Sequence, residues 1–156
     1  MLGSPSPKKE ALLIKRLAQD MGAKMIGGHS RGAQVAWRVA GMQPMDKLFL
    51  IDPVDGSGPN PQTAKAALNP ASFTADTLVI GAQYGGRCAP DKVNHRLFAR
   101  MAPPDSEHVV LPMGHLDVMD SNAHRLGRWL CGSGKEPDLM RKKTADLILK
   151  QLTISS

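Results

Sequence analysis

The chain has 156 residues, of which 42% are hydrophobic, 22% charged and only 4% aromatic, and its formal net charge is +6. This length and composition predict a single domain over residues 1–156, with a core of Leu, Ile, Val, Met and Ala. No apolar run reaches the roughly 20 residues that cross a bilayer, and dispersed basic residues without an aromatic platform argue against nucleic-acid binding.

The first half of the chain predicts two helices and two strands. Leu13, Leu17 and Met21 recur at helical spacing, which predicts an amphipathic helix. Residues 53–70 are rich in Pro, Gly and Asn and predict a long loop of the kind that often carries function. In chain order, the predicted elements are a helix over 8–21, a strand over 23–28, a helix over 31–41 and a strand over 47–52.

The second half continues this alternation. Short apolar runs predict two more strands, and each is followed by residues with the pattern of a helix. Alternation of this kind indicates an α/β fold with a parallel sheet of about four strands flanked by helices. The predicted elements are strands over 76–82 and 107–112 and helices over 91–101, 117–131 and 138–152.

The cysteine content predicts no disulfide scaffold. Cys88 and Cys131 are the only two cysteines, and two residues make neither a disulfide framework nor a metal set. We therefore expect two buried thiols in a reduced compartment. No His or Cys pair has convincing ligand spacing, and neither a phosphate-binding nor a dinucleotide-binding glycine motif occurs. The sequence thus predicts neither a metal nor a cofactor.

A Gly-x-Ser-x-Gly motif, GHSRG, lies between a predicted strand and a predicted helix. This context is typical of a nucleophile elbow, a sharp turn that exposes a serine at the carboxyl end of a sheet. Gly28 and Gly32 would remove side chains that collide with neighbouring backbone. Ser30 is therefore the candidate nucleophile. The alternative is that Ser30 only caps the helix that begins after it.

A serine hydroxyl needs a base, and five histidines are available. His115 suits this role because it follows the last predicted strand on a glycine-containing loop. His108 falls in or at the start of that strand, and His95 and His124 fall in predicted helices. His29 adjoins the serine, but its side chain should point away from the hydroxyl.

The base in turn needs an acid that orients it. Asp52 stands directly at the end of a predicted strand and is the first candidate. Asp55 is second, although a turn-capping role suits it better, and Asp91 is third. Asp117 and Asp120 would serve the start of the following helix, where a carboxylate is favourable.

Stabilisation of an oxyanion requires backbone N–H donors near the nucleophile. The residue after the serine usually supplies one of them, and here that residue is Arg31. The second donor normally comes from a loop after an earlier strand, which this sequence does not contain.

Four blocks of sequence together resemble one family, the chlorophyllases, which are α/β-hydrolases that cleave the phytyl ester of chlorophyll. The resemblance covers approximately residues 8–150 and corresponds to the family's C-terminal half. It implies Ser30 as nucleophile, Asp52 as acid and His115 as base. The blocks are GHSRG at 28–32, IDPVDG at 51–56, CAPDKVNHRLF at 88–98 and GHLDVMD at 114–120, with CGSGKEP at 131–137 as a weaker fifth.

The resemblance implies a serine carboxylesterase. Such an enzyme would release phytol and chlorophyllide through an acyl-enzyme on Ser30, without a protein cofactor. It would work in the chloroplast, with peripheral contact to the photosynthetic membrane. Two alternatives remain open: a general lipase or esterase, and a non-catalytic fragment that binds pigment or a partner protein.

The resemblance also implies a truncated α/β-hydrolase sheet. Family members carry further strands before this region, including the one that would flank the strand leading to Ser30. We therefore expect an apolar sheet edge with unpaired N–H and C=O groups, suited to self-association. Ala33 stands where plant members typically have glycine, which is a small change beside the missing strands.

Overall fold

The computed structural model describes residues 6–56, 71–119 and 127–153. These residues include four longer helices and four strands, with a short 3-10 turn at Gly86–Cys88 and a helical stretch at 127–131. The elements are α1 (Pro7–Asp20), β1 (Met25–His29), α2 (Arg31–Ala40), β2 (Lys47–Ile51), β3 (Asp76–Tyr84), α3 (His95–Met101), β4 (Glu107–Gly114) and α4 (Pro137–Thr153).

The four strands form one parallel sheet in the order β1-β2-β3-β4. Four of the five residues of β2 are buried, as are six of the nine residues of β3. Strands covered on both faces read as continuous apolar runs, which explains the pattern in the sequence. The predicted α/β class, with about four parallel strands flanked by helices, is confirmed. All four carboxyl ends meet at one edge of this sheet.

Side chains along a strand point alternately to the two faces of the sheet, so both faces are apolar here. Helices cover both of them. On one face, Leu48, Leu50 and Val79 pack with the buried residues of α1 and α2. On the other face, Phe49 and Leu78 belong to a cluster that also includes Met140 of α4. The two clusters place the hydrophobic core on either side of the central strands. Within the described residues, no helix is long and apolar enough to cross a bilayer.

Two predicted helices differ from those observed. The helix predicted from residue 91 begins only at His95, because Asn94 takes an extended conformation and its side chain caps the helix by accepting from the Arg96 N–H. Of the helix predicted over 117–131, residues 117–119 form a turn and 127–131 are helical. The part over 120–126, which includes Asp120 and His124, lies outside the described residues, as does most of the 53–70 loop.

The expectation of two free thiols is wrong. Cys88 and Cys131 form a disulfide, with Cα atoms 4.9 Å apart and a sequence separation of 43. Cys88 follows β3 and Cys131 lies beyond β4, so the parallel arrangement of these neighbouring strands brings the two segments together. The count of cysteines carried no information about this proximity.

Removing the disulfide is expected to destabilise the fold. Cross-linking positions separated by 43 residues restricts the unfolded chain, and this effect is worth up to about 4 kcal/mol of unfolding free energy. Urea denaturation of wild type and of the Cys88→Ser/Cys131→Ser variant measures the loss. Equal midpoints with and without a reductant, or two titratable thiols in the unreduced chain, would contradict the bond.

Candidate active site

Ser30 lies in the tight turn between β1 and α2. Its backbone has φ 56° and ψ −124°, a conformation that non-glycine residues rarely adopt. The turn depends on Gly28, since a Cβ there would lie 2.4 Å from the carbonyl carbon of Gly32. The Ser30 N–H donates to the Ile51 carbonyl at 3.0 Å, which ties the turn to β2. The serine is thereby held at the carboxyl end of the sheet.

Among the described residues, neither the steric need for Gly32 nor the helix-capping role considered for Ser30 is observed. Gly32 is exposed, and a Cβ added to it would meet nothing within 4 Å among the described residues, so no collision explains this glycine. Ser30 precedes the first residue of α2, yet its side chain makes no capping hydrogen bond. Its hydroxyl instead contacts an imidazole from the other end of the sequence.

That imidazole belongs to His115, which directly follows β4. Its Nε2 lies 2.8 Å from the Ser30 Oγ, and its side chain is almost fully buried. The backbone N–H of His115 donates to the Cys131 carbonyl at 3.0 Å. The loop after β4 thus places this histidine against the serine, 85 residues away in sequence.

Asp52 completes the group. It follows β2 and is fully buried, and its Oδ2 accepts from the His115 Nδ1–H at 2.6 Å. Its Oδ1 accepts from the backbone N–H of Ala82 in β3 at 3.0 Å. Its backbone has φ 37°, so the chain turns sharply at the end of the strand. Both carboxylate oxygens therefore have a donor, as burial of a charge requires.

The other carboxylates that the sequence offered lie elsewhere. Asp55 is fully buried, and its Oδ1 accepts from the Gln34 side chain of α2 at 2.8 Å. Asp91 is largely exposed and forms an ion pair with Arg96 at 3.1 Å. Of the three candidate acids, the structure therefore brings only Asp52 to His115.

Asp117 has a function that the sequence interpretation missed. It was expected at the start of a helix, but it lies in the turn after β4 and is fully buried. Its Oδ2 accepts from the backbone N–H groups of Gly114 and Gly134, each at 2.6 Å. The carboxylate therefore joins the loop that carries His115 to the segment before α4. The sequence signal was an aspartate three residues after a glycine, since short polar side chains often bond nearby backbone in turns.

Three further histidines are held by hydrogen bonds. His95, buried at the start of α3, and His108, exposed on β4, are joined between Nδ1 and Nε2 at 2.8 Å. Burial lowers the pKa of both residues. His29 lies beside the proposed nucleophile, with Nε2 2.7 Å from the His115 carbonyl oxygen. Burial, and then the proximity of His115, lower the pKa of His29 to about 4.

Arg31 is the first residue of α2, so its backbone N–H lies at the N-terminus of the helix, directly after Ser30. Its side chain pairs with Glu10 of α1 at 2.5 Å. The oxyanion role of its N–H stays a prediction. Among the described ranges, no group of three or more His, Cys, Asp or Glu side chains is arranged to hold a metal ion.

Comparison with known proteins identifies the family. The chlorophyllase family model matches residues 6–154, which is nearly the whole chain. The chain belongs to the chlorophyllase family. This confirms the resemblance drawn from the four sequence blocks.

Individual relatives agree with this assignment. The chain is 34% identical to chlorophyllase-2 of Arabidopsis thaliana over 152 residues, covering 81% of this chain and 48% of that protein. It is 28% identical to the chloroplastic chlorophyllase-1 of Citrus unshiu over 140 residues, covering 80% of this chain and 43% of that protein. This chlorophyllase-family chain therefore spans about half the length of the curated relatives it matches.

A solved structure supports the fold. A protein of the α/β-hydrolase superfamily from Xanthomonas campestris pv. campestris superposes with a TM-score of 0.51 at 21% sequence identity. The match covers 91% of this chain and 66% of that one. The sheet and its helices are therefore those of an α/β-hydrolase.

The low pKa of His29 predicts a loss of stability in acid. The side chain titrates near 6.5 when unfolded and near 4 when folded, so between these values the unfolded chain binds more protons. The unfolding free energy should therefore fall as pH drops from about 6.5 to about 4, by at most about 3 kcal/mol from this residue. Urea denaturation across this range measures the slope, and His29→Gln should flatten it. An unchanged slope in the variant would contradict the assignment.

Proposed function

We propose that the chain is a carboxylic ester hydrolase that uses Ser30 as nucleophile, His115 as base and Asp52 as acid. One observation carries this proposal. The hydroxyl, imidazole and carboxylate form a continuous chain of hydrogen bonds, at 2.8 and 2.6 Å, at the carboxyl end of the sheet. That order of groups activates a serine hydroxyl, which is a poor nucleophile alone.

The proposed reaction has two halves. The Ser30 Oγ attacks the ester carbonyl carbon as its proton passes to His115 Nε2. That proton then goes to the departing alcohol, and the acyl group stays on Ser30. A water molecule, deprotonated by the same Nε2, attacks the acyl-enzyme. The bond to the Ser30 Oγ then breaks, the proton on Nε2 returns to that oxygen, and the acid product leaves. Asp52 keeps the Nδ1 proton in place and stabilises the imidazolium in both halves. The Arg31 N–H would stabilise the oxyanion.

Family membership supports chlorophyll as the substrate. The alcohol released would then be phytol, and the acyl group on Ser30 would become chlorophyllide. The magnesium belongs to this substrate, not to the protein. A chloroplast location and contact with the photosynthetic membrane belong to the same proposal, supported by a chloroplastic relative.

Two alternatives concern the oxyanion. The chain spans about half the length of its curated relatives, and the Arg31 N–H is the one oxyanion donor proposed from the described residues. Loss of one such donor costs about 100- to 1,000-fold in rate. A slow general esterase, or a fragment that binds pigment or protein without hydrolysis, would each be consistent with this.

The first test is chlorophyllide release from chlorophyll by the 156-residue chain. We expect Ser30→Ala to reduce kcat by about 1,000-fold or more and to abolish labelling by a serine-directed fluorophosphonate. Ser72→Ala is the matched control, because Ser72 is exposed and precedes the amino end of β3, opposite the site. Product is measured by chromatography.

The results of this test distinguish a chlorophyll hydrolase from a general esterase and from a binding module. Labelling of Ser30 with a preference for short p-nitrophenyl esters over chlorophyll would indicate a general esterase. Folded protein with neither labelling nor hydrolysis would indicate a binding module. Hydrolysis that survives in Ser30→Ala would show that the assigned nucleophile is wrong.

The edge of the sheet that β1 forms supports self-association, which stays a prediction. Among the described residues, β1 pairs only with β2. Leu13, Leu17 and Met21 form an exposed apolar row along α1 and its C-terminal end, and Met25 of β1 is also exposed. A second copy offers the same extended edge, so two β1 strands could pair antiparallel about a two-fold axis while their apolar rows meet.

Light scattering after size exclusion tests this pairing. We expect the chain to be a dimer at micromolar concentration and Leu17→Lys to be a monomer. Leu149→Lys is the matched control, since Leu149 on α4 is 58% exposed and Leu17 is 51% exposed. A monomeric wild type, or equal effects of the two substitutions, would contradict pairing through this edge.

A further inference from the structure

His29 makes two contacts with the proposed base. Its Nε2 lies 2.7 Å from the backbone carbonyl oxygen of His115. A carbonyl oxygen only accepts, so Nε2 carries the proton and donates it, and on a neutral ring Nδ1 carries none. The two imidazole rings also lie against each other, with centroids 4.8 Å apart and planes inclined by 38°.

We propose that His29 is a positioning residue, which holds His115 at the correct distance from Ser30. This inference rests on the proposed function, because it assigns a role within the same site. His29 donates its hydrogen bond to the backbone of the base and not to a reacting atom. It acts through the backbone and ring of the base.

The geometry explains why such a residue is needed. The His115 N–H is held by Cys131 and the Nδ1 by Asp52, at 3.0 and 2.6 Å. Neither contact joins the base directly to the turn that carries the serine. His29 immediately precedes Ser30, so its hydrogen bond links the base to the backbone of the nucleophile itself.

The charge of His29 is suited to this position. Burial and the neighbouring His115 lower the pKa of His29 to about 4, so the ring is neutral near pH 7. A second positive charge would otherwise face the imidazolium that forms on His115 during turnover. Asp52 is the acidic group near both rings and already accepts from His115. A neutral donor can therefore hold the base without opposing its protonation.

The test compares side chains that keep the donor with side chains that lose it. The amide nitrogen of His29→Gln can reach the position of Nε2, whereas His29→Asn is one methylene shorter and His29→Phe keeps only the ring. We expect kcat, and the rate of fluorophosphonate labelling of Ser30, to fall about 10- to 100-fold in Asn and Phe. KM should change less than about twofold, and Gln should restore most of the rate. His108→Gln, on β4, is the matched control.

The outcomes are decisive in either direction. Equal rates in Gln, Asn and Phe, or a loss confined to KM, would overturn the inference while leaving the proposed hydrolase intact if wild type still labels. Thermal unfolding identifies any variant that fails to fold, and the Gln and Asn pair then carries the comparison.

A second measurement does not depend on activity. Nitrogen-15 spectra of the wild-type imidazoles should show His29 protonated at Nε2 and His115 protonated at Nδ1. The His115 ring resonances should shift or broaden in His29→Phe, because the ring would then sample more than one distance from Ser30. A His29 ring protonated at Nδ1, or an unchanged His115 spectrum in the variant, would overturn the inference even if no ester is hydrolysed.

Discussion

The arrangement of the candidate site depends on the hydrogen bonds of the buried Asp52 carboxylate. A charge removed from water is costly unless donors surround it, and this one has donors from two other parts of the chain. The Ala82 N–H of β3 satisfies one oxygen and His115 satisfies the other. Separation of either segment from β2 would leave the charge uncompensated. The geometry of the site and the integrity of the sheet are therefore maintained by the same contacts.

A parallel sheet makes these contacts compatible with one another. β1 ends before Ser30, β2 ends before Asp52 and β4 ends before His115, so three distant segments arrive at one edge. Two further sets of hydrogen bonds hold the loop that carries His115. Asp117 joins it to the segment before α4, and the Cys131 carbonyl accepts its N–H. Two segments after β4, at Asp117 and at Cys131, thus help to hold one imidazole.

The sequence allowed the sheet and the proposed triad to be predicted because both follow from order along the chain. Apolar runs predict the strands, and the polar residues that end them must meet at one edge. The disulfide and the role of Asp117 could not be predicted in this way. Each depends on which loops touch after the sheet has formed. Cys88 and Cys131 are 43 positions apart, so the sequence gives no sign of their contact. At Gly32 the glycine pattern predicted a collision that the described residues do not contain.

Ser30 has a strained backbone, and it is connected to β1, one of the two edge strands of the sheet among the described residues. Outer strands exchange and open more readily than central ones, because fewer contacts hold them. Fraying of β1 would carry the serine away from His115 while β2, β3 and α4 remain packed. Heat inactivation should then precede the cooperative melting of the core. The proposed activity would then be limited by a sub-global opening, with a free energy smaller than that of complete unfolding.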